Sequence, residues 1–468
     1  MRAIGMIIMI MSIIAVNCRA ATHYVVTNGT PGWIGAADPY TNWATAGTNI
    51  IDVVNTAMTN PAARVVWVTN GTYNLTNAIA ATNALTIQSV NGRNATMLAG
   101  QGAYRCASFD IIAGSVFNGF TVSNFQRGGI YSTNALSVLN CLFVGNSNGT
   151  SGTGRGGGVD IYNYSTGIIV TNCIFSNNYA RTCGGGMALG NSQGALAPKI
   201  YGCYFHGNIC DNTASLGCLG GGLEITGGNC IISNCIFVNN FHAYYGGGIG
   251  IYGGSGNQIT DCLIVSNGAT YGAGIELSYG SGIIIKNCSI VSNTAATSGG
   301  GICRIESQGP TSIKGCLIAR NSANGQKGGG VYLTNGTIDS CTIVSNYAAV
   351  SGGGLYIKDV GSGTNNIIYF NTAPSSANFT NTAGNTGLHY SCVIPAVDGT
   401  RNITNDPSLV NLSGNYRLND NSPCVNAGLN KDWMTNAVDL DGRQRIRYGT
   451  VDMGAFEGIC GGTIYGFH

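Results

Sequence analysis

Eight of the eighteen cysteines fall in one recurring pattern, Cys-x-[Phe/Ile]-x-x-Asn, beginning at Cys141, Cys173, Cys203, Cys235, Cys262, Cys288, Cys316 and Cys341. A thiol beside a glycine-rich loop, as in CIFSNNYARTCGGGMAL from Cys173, is where a nucleophilic cysteine would be sought. Clustered thiolates would also suit a tetrahedral metal. The spacing speaks for neither. Successive cysteines lie 32, 30, 32, 27, 26, 28 and 25 residues apart, and no Cys-x-x-Cys pair occurs. They read instead as small apolar residues filling one position of a stacked repeat. Cys183, Cys210, Cys218 and Cys230 lie outside the pattern. In an exported chain disulfides among these four are plausible, with a pairing that sequence leaves open.

Carboxylates come next. The second half of each repeat is Gly-Gly-Gly or Gly-Ala-Gly followed by alternating apolar residues, starting at Gly156, Gly184, Gly220, Gly246, Gly272, Gly299, Gly328 and Gly352. Strand alternation sends Val159 and Ile161 to one face and the residue between them to the other. That second face carries Asp160, Ala188, Glu224, Gly250, Glu276, Cys303, Tyr332 and Tyr356, and it is expected to meet solvent. Glu224 and Glu276, two repeats apart, would be separated by about 9.6 Å from strand spacing. An inverting carboxylate pair needs about 6.5–9.5 Å. Two exposed glutamates on a long sheet are equally ordinary solubility residues, so no catalytic residue is assigned. Asp439 and Asp441 in DLDG form half of a calcium loop, but Arg443 and Gln444 follow where further oxygen ligands belong, and an Asp-stabilised turn fits as well. His23, His206, His242, His389 and His468 are scattered. No metal and no cofactor is assigned.

The elements that must position these residues follow from the period. Charged residues are only 9% of 468, glycine numbers 73, and the net charge is +2, which leaves no basic stripe for nucleic acid. Apolar residues at 44% are enough for a core. A repeat of 25 to 32 residues, with short strands and no helical periodicity, predicts a parallel β-helix with one coil per repeat. Cys173 and Phe175 share an inward face, and the asparagine after each strand marks a bend because Asn tolerates the left-handed conformation. The glycines let backbone pass close to the next coil. Residues 48–59 place Ile50, Val53, Val54 and Ala57 on one helical face, a cap for the open end of the solenoid. The first twenty residues resemble a secretory leader, with Arg2, an apolar run from Ile4 to Val16 and a cleavage site before Ala21.

Gly-Gly-Gly-[apolar] paired with Phe-x-x-Asn, as in Phe175–Asn178 and Phe237–Asn240, resembles the repeats of chlamydial polymorphic outer-membrane proteins and, more broadly, secreted right-handed β-helix proteins of the pectin-lyase-like fold. YRLNDNSPCVNAG from Tyr416 and DLDGRQRIRYGTVDMGAFE from Asp439 resemble the terminal module of choice-of-anchor Q proteins. These resemblances imply an all-β, right-handed, single-stranded parallel β-helix over 63–400. It would be preceded by a leader (1–20) and an N-terminal strand with a capping helix (21–62), and followed by a small β module (401–468). The clustered aspartates of polygalacturonases and the acidic calcium cluster of pectate lyases are missing. Two readings of function stand. One is a non-catalytic, secreted or cell-surface protein, monomeric, in adhesion or contact with extracellular polysaccharide. The other is a polysaccharide lyase or glycoside hydrolase using the stripe near Asp160, Glu224 and Glu276.

Overall fold

A computed structural model describes residues 21–27, 35–60, 64–101, 105–109, 114–149, 154–163, 167–191, 197–211, 219–242, 244–306, 308–382 and 387–458. The expected leader and Cys218 lie outside these residues. Four short strands make a typical coil: Leu223–Thr226 after the glycines, Ile231–Ser233 as a connector, Ile236–Val238 after the cysteine, and Phe241–His242 after the asparagine. Each pairs in parallel with its counterpart one repeat on, at Leu223↔Ile249, Ile231↔Gln258, Ile236↔Leu263 and Phe241↔Gly268. The strands after the cysteines form a 13-stranded sheet and those after the asparagines an 8-stranded one. Glycine strands and connectors merge into a 24-stranded sheet, because Val331–Asp339 and Leu355–Thr364 run through both positions. The chain is a parallel β-helix.

Identical positions stack, so the core consists of ladders of like residues. Phe143, Phe175, Phe205 and Phe237 are nearly parallel, with ring centroids 5.2, 4.6 and 4.7 Å apart, the spacing of adjacent strands. All eight repeat cysteines are buried. Their thiols bond to backbone, as Cys173 Sγ does to Thr171 O at 3.3 Å. The asparagine ladder from Asn146 to Asn371 is buried too. Asn208 Nδ2 donates to Phe175 O and Asn240 Oδ1, both at 2.9 Å, while its Oδ1 accepts from Asn178 N at 3.1 Å. The left-handed residue is not this asparagine, as expected from sequence, but the one before it, such as Gly207 (φ 62°) or Asn239 (φ 52°). The bend turns the ladder amide inward, where each buried bond replaces one to water. In the glycine triplet, Gly220 has φ +75°, and a Cβ on Gly221 would lie 2.4 Å from Phe241 O and 2.5 Å from Gly247 O. No side chain fits between those coils.

At the N-terminal end, helix Ile50–Met58 buries Ile50, Val53, Val54 and Ala57, and Asn49 caps it by accepting from Ile51 N at 2.9 Å. Strand Ala21–Val25 already pairs with Arg64–Val68, so a rung of the solenoid precedes the helix. The C-terminal segment differs from the β-rich module expected. Residues 401–458 contain isolated bridges and one 3-10 turn, Asp432–Met434, but no strand. The segment lies along the flank of the solenoid, where Tyr416, Leu418, Met453 and Phe456 pack with Val291, Leu317, Val344 and Ile367 on the outer face of the cysteine strands. Ala455 N donates to Thr342 Oγ1 at 2.9 Å, and Lys431 pairs with Asp339 at 2.7 Å. Both DLDG carboxylates are taken up internally. Asp439 accepts from the backbone N–H of Asp441, Arg443 and Glu457 at 2.7–2.9 Å, and Asp441 pairs with Arg417 and Arg443. That is the Asp-stabilised turn.

Of the four outlying cysteines, Cys183 is half-buried, Cys210 and Cys230 are buried, and Cys218 lies outside the described residues.

Candidate functional site

The stripe expected to face solvent is instead covered. Asp160 is 8% exposed, Glu224 1%, and Ala188, Glu276 and Cys303 0%. The cover is the chain just ahead of each glycine triplet. The first glycine turns back over its own strand, so closely that a Cβ on Gly156 would lie 2.6 Å from Asp160 Cβ. The residue before it then joins a ledge stacked along the solenoid. Arg155 bridges to Cys183, and Leu219, Tyr245 and Tyr271 bridge in turn. Further along, Tyr332 and Tyr356 stack at 5.3 Å, and Lys327 Nζ donates to Tyr356 Oη at 3.0 Å.

Under this ledge the acidic residues take two different forms. Arg155 Nη2 reaches Glu224 Oε2 at 2.9 Å, two coils away, and its Nε lies 3.7 Å from Asp160 Oδ1. It passes over Ala188 and Gly190; a Cβ on Gly190 would be 3.3 Å from Arg155 Nη2 and 2.5 Å from Tyr162 Cδ2. Burial pushes the Asp160 and Glu224 carboxyls up, and Arg155 opposes that shift in both. Thr226 Oγ1 donates to Glu224 Oε1 at 2.5 Å. Glu276 occupies the same register position two coils further, and Ser278 stands where Thr226 does and donates to its Oε1. Among the described residues no cation forms a salt bridge with it, and its Oε2 has no hydrogen-bond partner. Burial raises the Glu276 pKa to about 8, helped by nearby Glu306 and opposed by Ser278 and Arg304. Burial also lowers the Arg304 guanidinium, partly offset by Glu276.

Above Glu276 the ledge opens into a cleft of about 420 Å³, lined by Leu219, Tyr245, Tyr252, Ser278, Tyr279, Ile305 and Glu306. Tyr252 and Tyr279 are 44% and 39% exposed, with ring centroids 5.1 Å apart. Tyr245 stacks on Tyr271 at 5.6 Å, and burial, with Glu276 beneath, pushes its hydroxyl up to about 12. The cleft walls differ from the neighbouring coils in the residues that take one left-handed position. The residue just past the glycine strand is left-handed in successive coils: Gly227 (φ 126°), Gly253 (71°), then Tyr279 (54°) and Glu306 (49°). Glycine takes that conformation without strain, whereas a side chain there costs about 1–2 kcal/mol. Tyr279 and Glu306 thus replace glycine at a position that favours it, and both face the cleft. A larger cavity of about 580 Å³ beside the capping helix is lined mostly by Thr and Asn, with Asp52 its one charged residue.

Of the sequence candidates, the structure joins Asp160 to Glu224 through Arg155 and keeps Glu276 apart. Sequence reasoning missed Arg155, Tyr252, Tyr279 and Glu306. Aligning the residues after each glycine strand (ITGG, IYGG, LSYG and RIES, from Ile225, Ile251, Leu277 and Arg304) shows where glycine gives way to Tyr279 and Glu306.

Residues 108–290 match a family model described as the right handed beta helix region, which gives the solenoid its hand. A search of curated proteins finds no match. Among solved structures the chain is similar to a PL6 family alginate lyase, AlyGC, in a mutant form (14% identity, 88% of this chain, 58% of that chain, TM-score 0.51). It is also similar to pectate lyase Pel9A (15% identity, 93% and 96%, TM-score 0.43). A third is the catalytic unit of a thermostable GH87 alpha-1,3-glucanase from Streptomyces thermodiastaticus strain HF3-3 (16% identity, 81% and 69%, TM-score 0.35). At such identities what is shared is the fold, a right-handed parallel β-helix of the pectate-lyase-like kind.

Proposed function

We propose that this chain is an exported β-helix that holds a glycan in the tyrosine cleft without cleaving it. The observation that carries the reading is the cleft itself, where the exposed rings of Tyr252 and Tyr279 stand 5.1 Å apart beside Glu306 and Ser278. A pyranose ring has apolar C–H faces and a rim of hydroxyls. Tyr252 and Tyr279 offer aromatic faces to the former, and Glu306 and Ser278 offer hydrogen-bond partners to the latter. Access supports binding without cleavage: Asp160 and Glu224 are tied to Arg155, and Glu276 is fully buried, so none of the three is exposed in the cleft.

One observation favours hydrolysis instead. Glu276, with its pKa raised to about 8, stays protonated at neutral pH as a general acid must, and Glu306 supplies an exposed carboxylate in the same cleft. A polysaccharide panel separates the two readings. Binding should weaken about tenfold in Tyr252→Ala, as loss of one aromatic contact implies, with no new reducing or unsaturated ends. Release of such ends, abolished in Glu276→Gln, would establish the hydrolase or lyase.

Export rests on the leader-like first twenty residues, and association with the cell surface on the resemblance of the C-terminal segment to the terminal module of choice-of-anchor Q proteins. Among the described residues no helix is long and apolar enough to cross a membrane. An exported protein whose N-terminus begins at Ala21 would support the leader; a retained Met1 would refute it.

A further inference from the structure

We propose that the tyrosine cleft selects an uncharged glycan and rejects polyuronates, an inference that rests on the glycan-binding reading above. Recognition of a uronate needs a cation at the surface, because a carboxylate leaves water only when paired and hydrogen-bonded. None of the described residues lining the cleft is a lysine or arginine; among them Glu306 is the one charged side chain.

None of the described cations nearby lines the cleft. Arg304 is fully buried and its Nη2 donates to Gly280 O and Gly309 O. Arg155 is held by Glu224 and Asp160, and Lys327 is turned to the Tyr356 ring, 4.8 Å from its centroid. Glu276 lies under the floor with one oxygen unpartnered, and no described cation is presented at the surface of the cleft. A uronate carboxylate in the cleft would face Glu306 with no compensating charge, and like charges at contact distance exclude a ligand more strongly than hydroxyls attract it. An uncharged pyranose meets no such cost.

The test is affinity electrophoresis and calorimetry of the full chain. One set of ligands would be uncharged glycans (laminarin, mixed-linkage glucan, xylan, galactomannan), the other polygalacturonate and alginate, at about 0.05 and 0.15 M salt, where the screening length shortens. We expect at least one uncharged glycan to bind ten times more tightly than either polyuronate, with the gap narrowing at the higher salt. Glu306→Lys should raise polyuronate affinity severalfold, so that the ratio of uncharged-glycan to polyuronate affinity falls by at least that factor. Polyuronate binding equal to or tighter than every uncharged glycan would overturn the selectivity and leave the glycan-binding reading standing. Binding of neither class would overturn both.

Discussion

Glu224 and Glu276 sit at the same register position of one ribbon, each followed two residues later by a hydroxyl that donates to it, yet their chemistry has diverged. Glu224 has Arg155, which can reach it because Ala188 and Gly190 leave the path clear. Glu276 has no such partner, and tyrosines take the ledge beside it. One is a buried ion pair, the other a buried acid beneath an open cleft. A repeat fixes where side chains stand, and substitutions at two or three positions decide whether a given place is a strut or a site.

The contrast can be tested by moving one site toward the other. Arg155→Met leaves Glu224 and Asp160 buried without a cation, and breaking a buried pair from one side costs about 3–5 kcal/mol. Urea unfolding should show that loss, and adding Glu224→Gln to Arg155→Met should recover much of it; a single variant as stable as the parent would mean that Arg155 is no strut. Glu276 should behave in the opposite sense with pH. Its folded pKa of about 8 lies above the ordinary 4.5, so protonation favours the fold. That contribution is full below pH 4.5 and is lost as pH rises through 8, at about 1.4 kcal/mol per pH unit relative to Glu276→Gln. Parallel stability profiles of the two proteins from pH 5 to 8 would show that Glu276 is ionised in the folded state. The smallest effect is expected for Ser278→Ala, which removes one hydrogen bond to Glu276 and should cost about 1 kcal/mol.

Much of the solenoid was legible in the sequence because stacking forces each position to repeat its residue. Cys173, Phe175 and Asn178 recur at near-constant spacing, and the capping face of Ile50, Val53, Val54 and Ala57 shows a helical period; all are buried as that pattern requires. The stripe of Asp160, Glu224 and Glu276 was misjudged for a local reason. Alternation tells which side of a strand a residue occupies, but not that the chain before Gly156 and its counterparts folds back to cover that side. The cleft was less legible still, since Tyr279 and Glu306 matter through a departure from the repeat. The C-terminal segment has no period, so its place along the flank, set by contacts such as Ala455 with Thr342, could not be read from spacing.

The most direct measurement is a paired one on Tyr279→Gly: affinity for the glycan that the parent protein binds, and free energy of unfolding. Glycine relieves the left-handed backbone but loosens the unfolded chain by a similar amount, so stability should stay within about 1 kcal/mol of the parent. Affinity should fall about tenfold with loss of the ring. Unchanged affinity, or a loss of stability well beyond that range, would show that Tyr279 is held in place for the fold and not for a ligand.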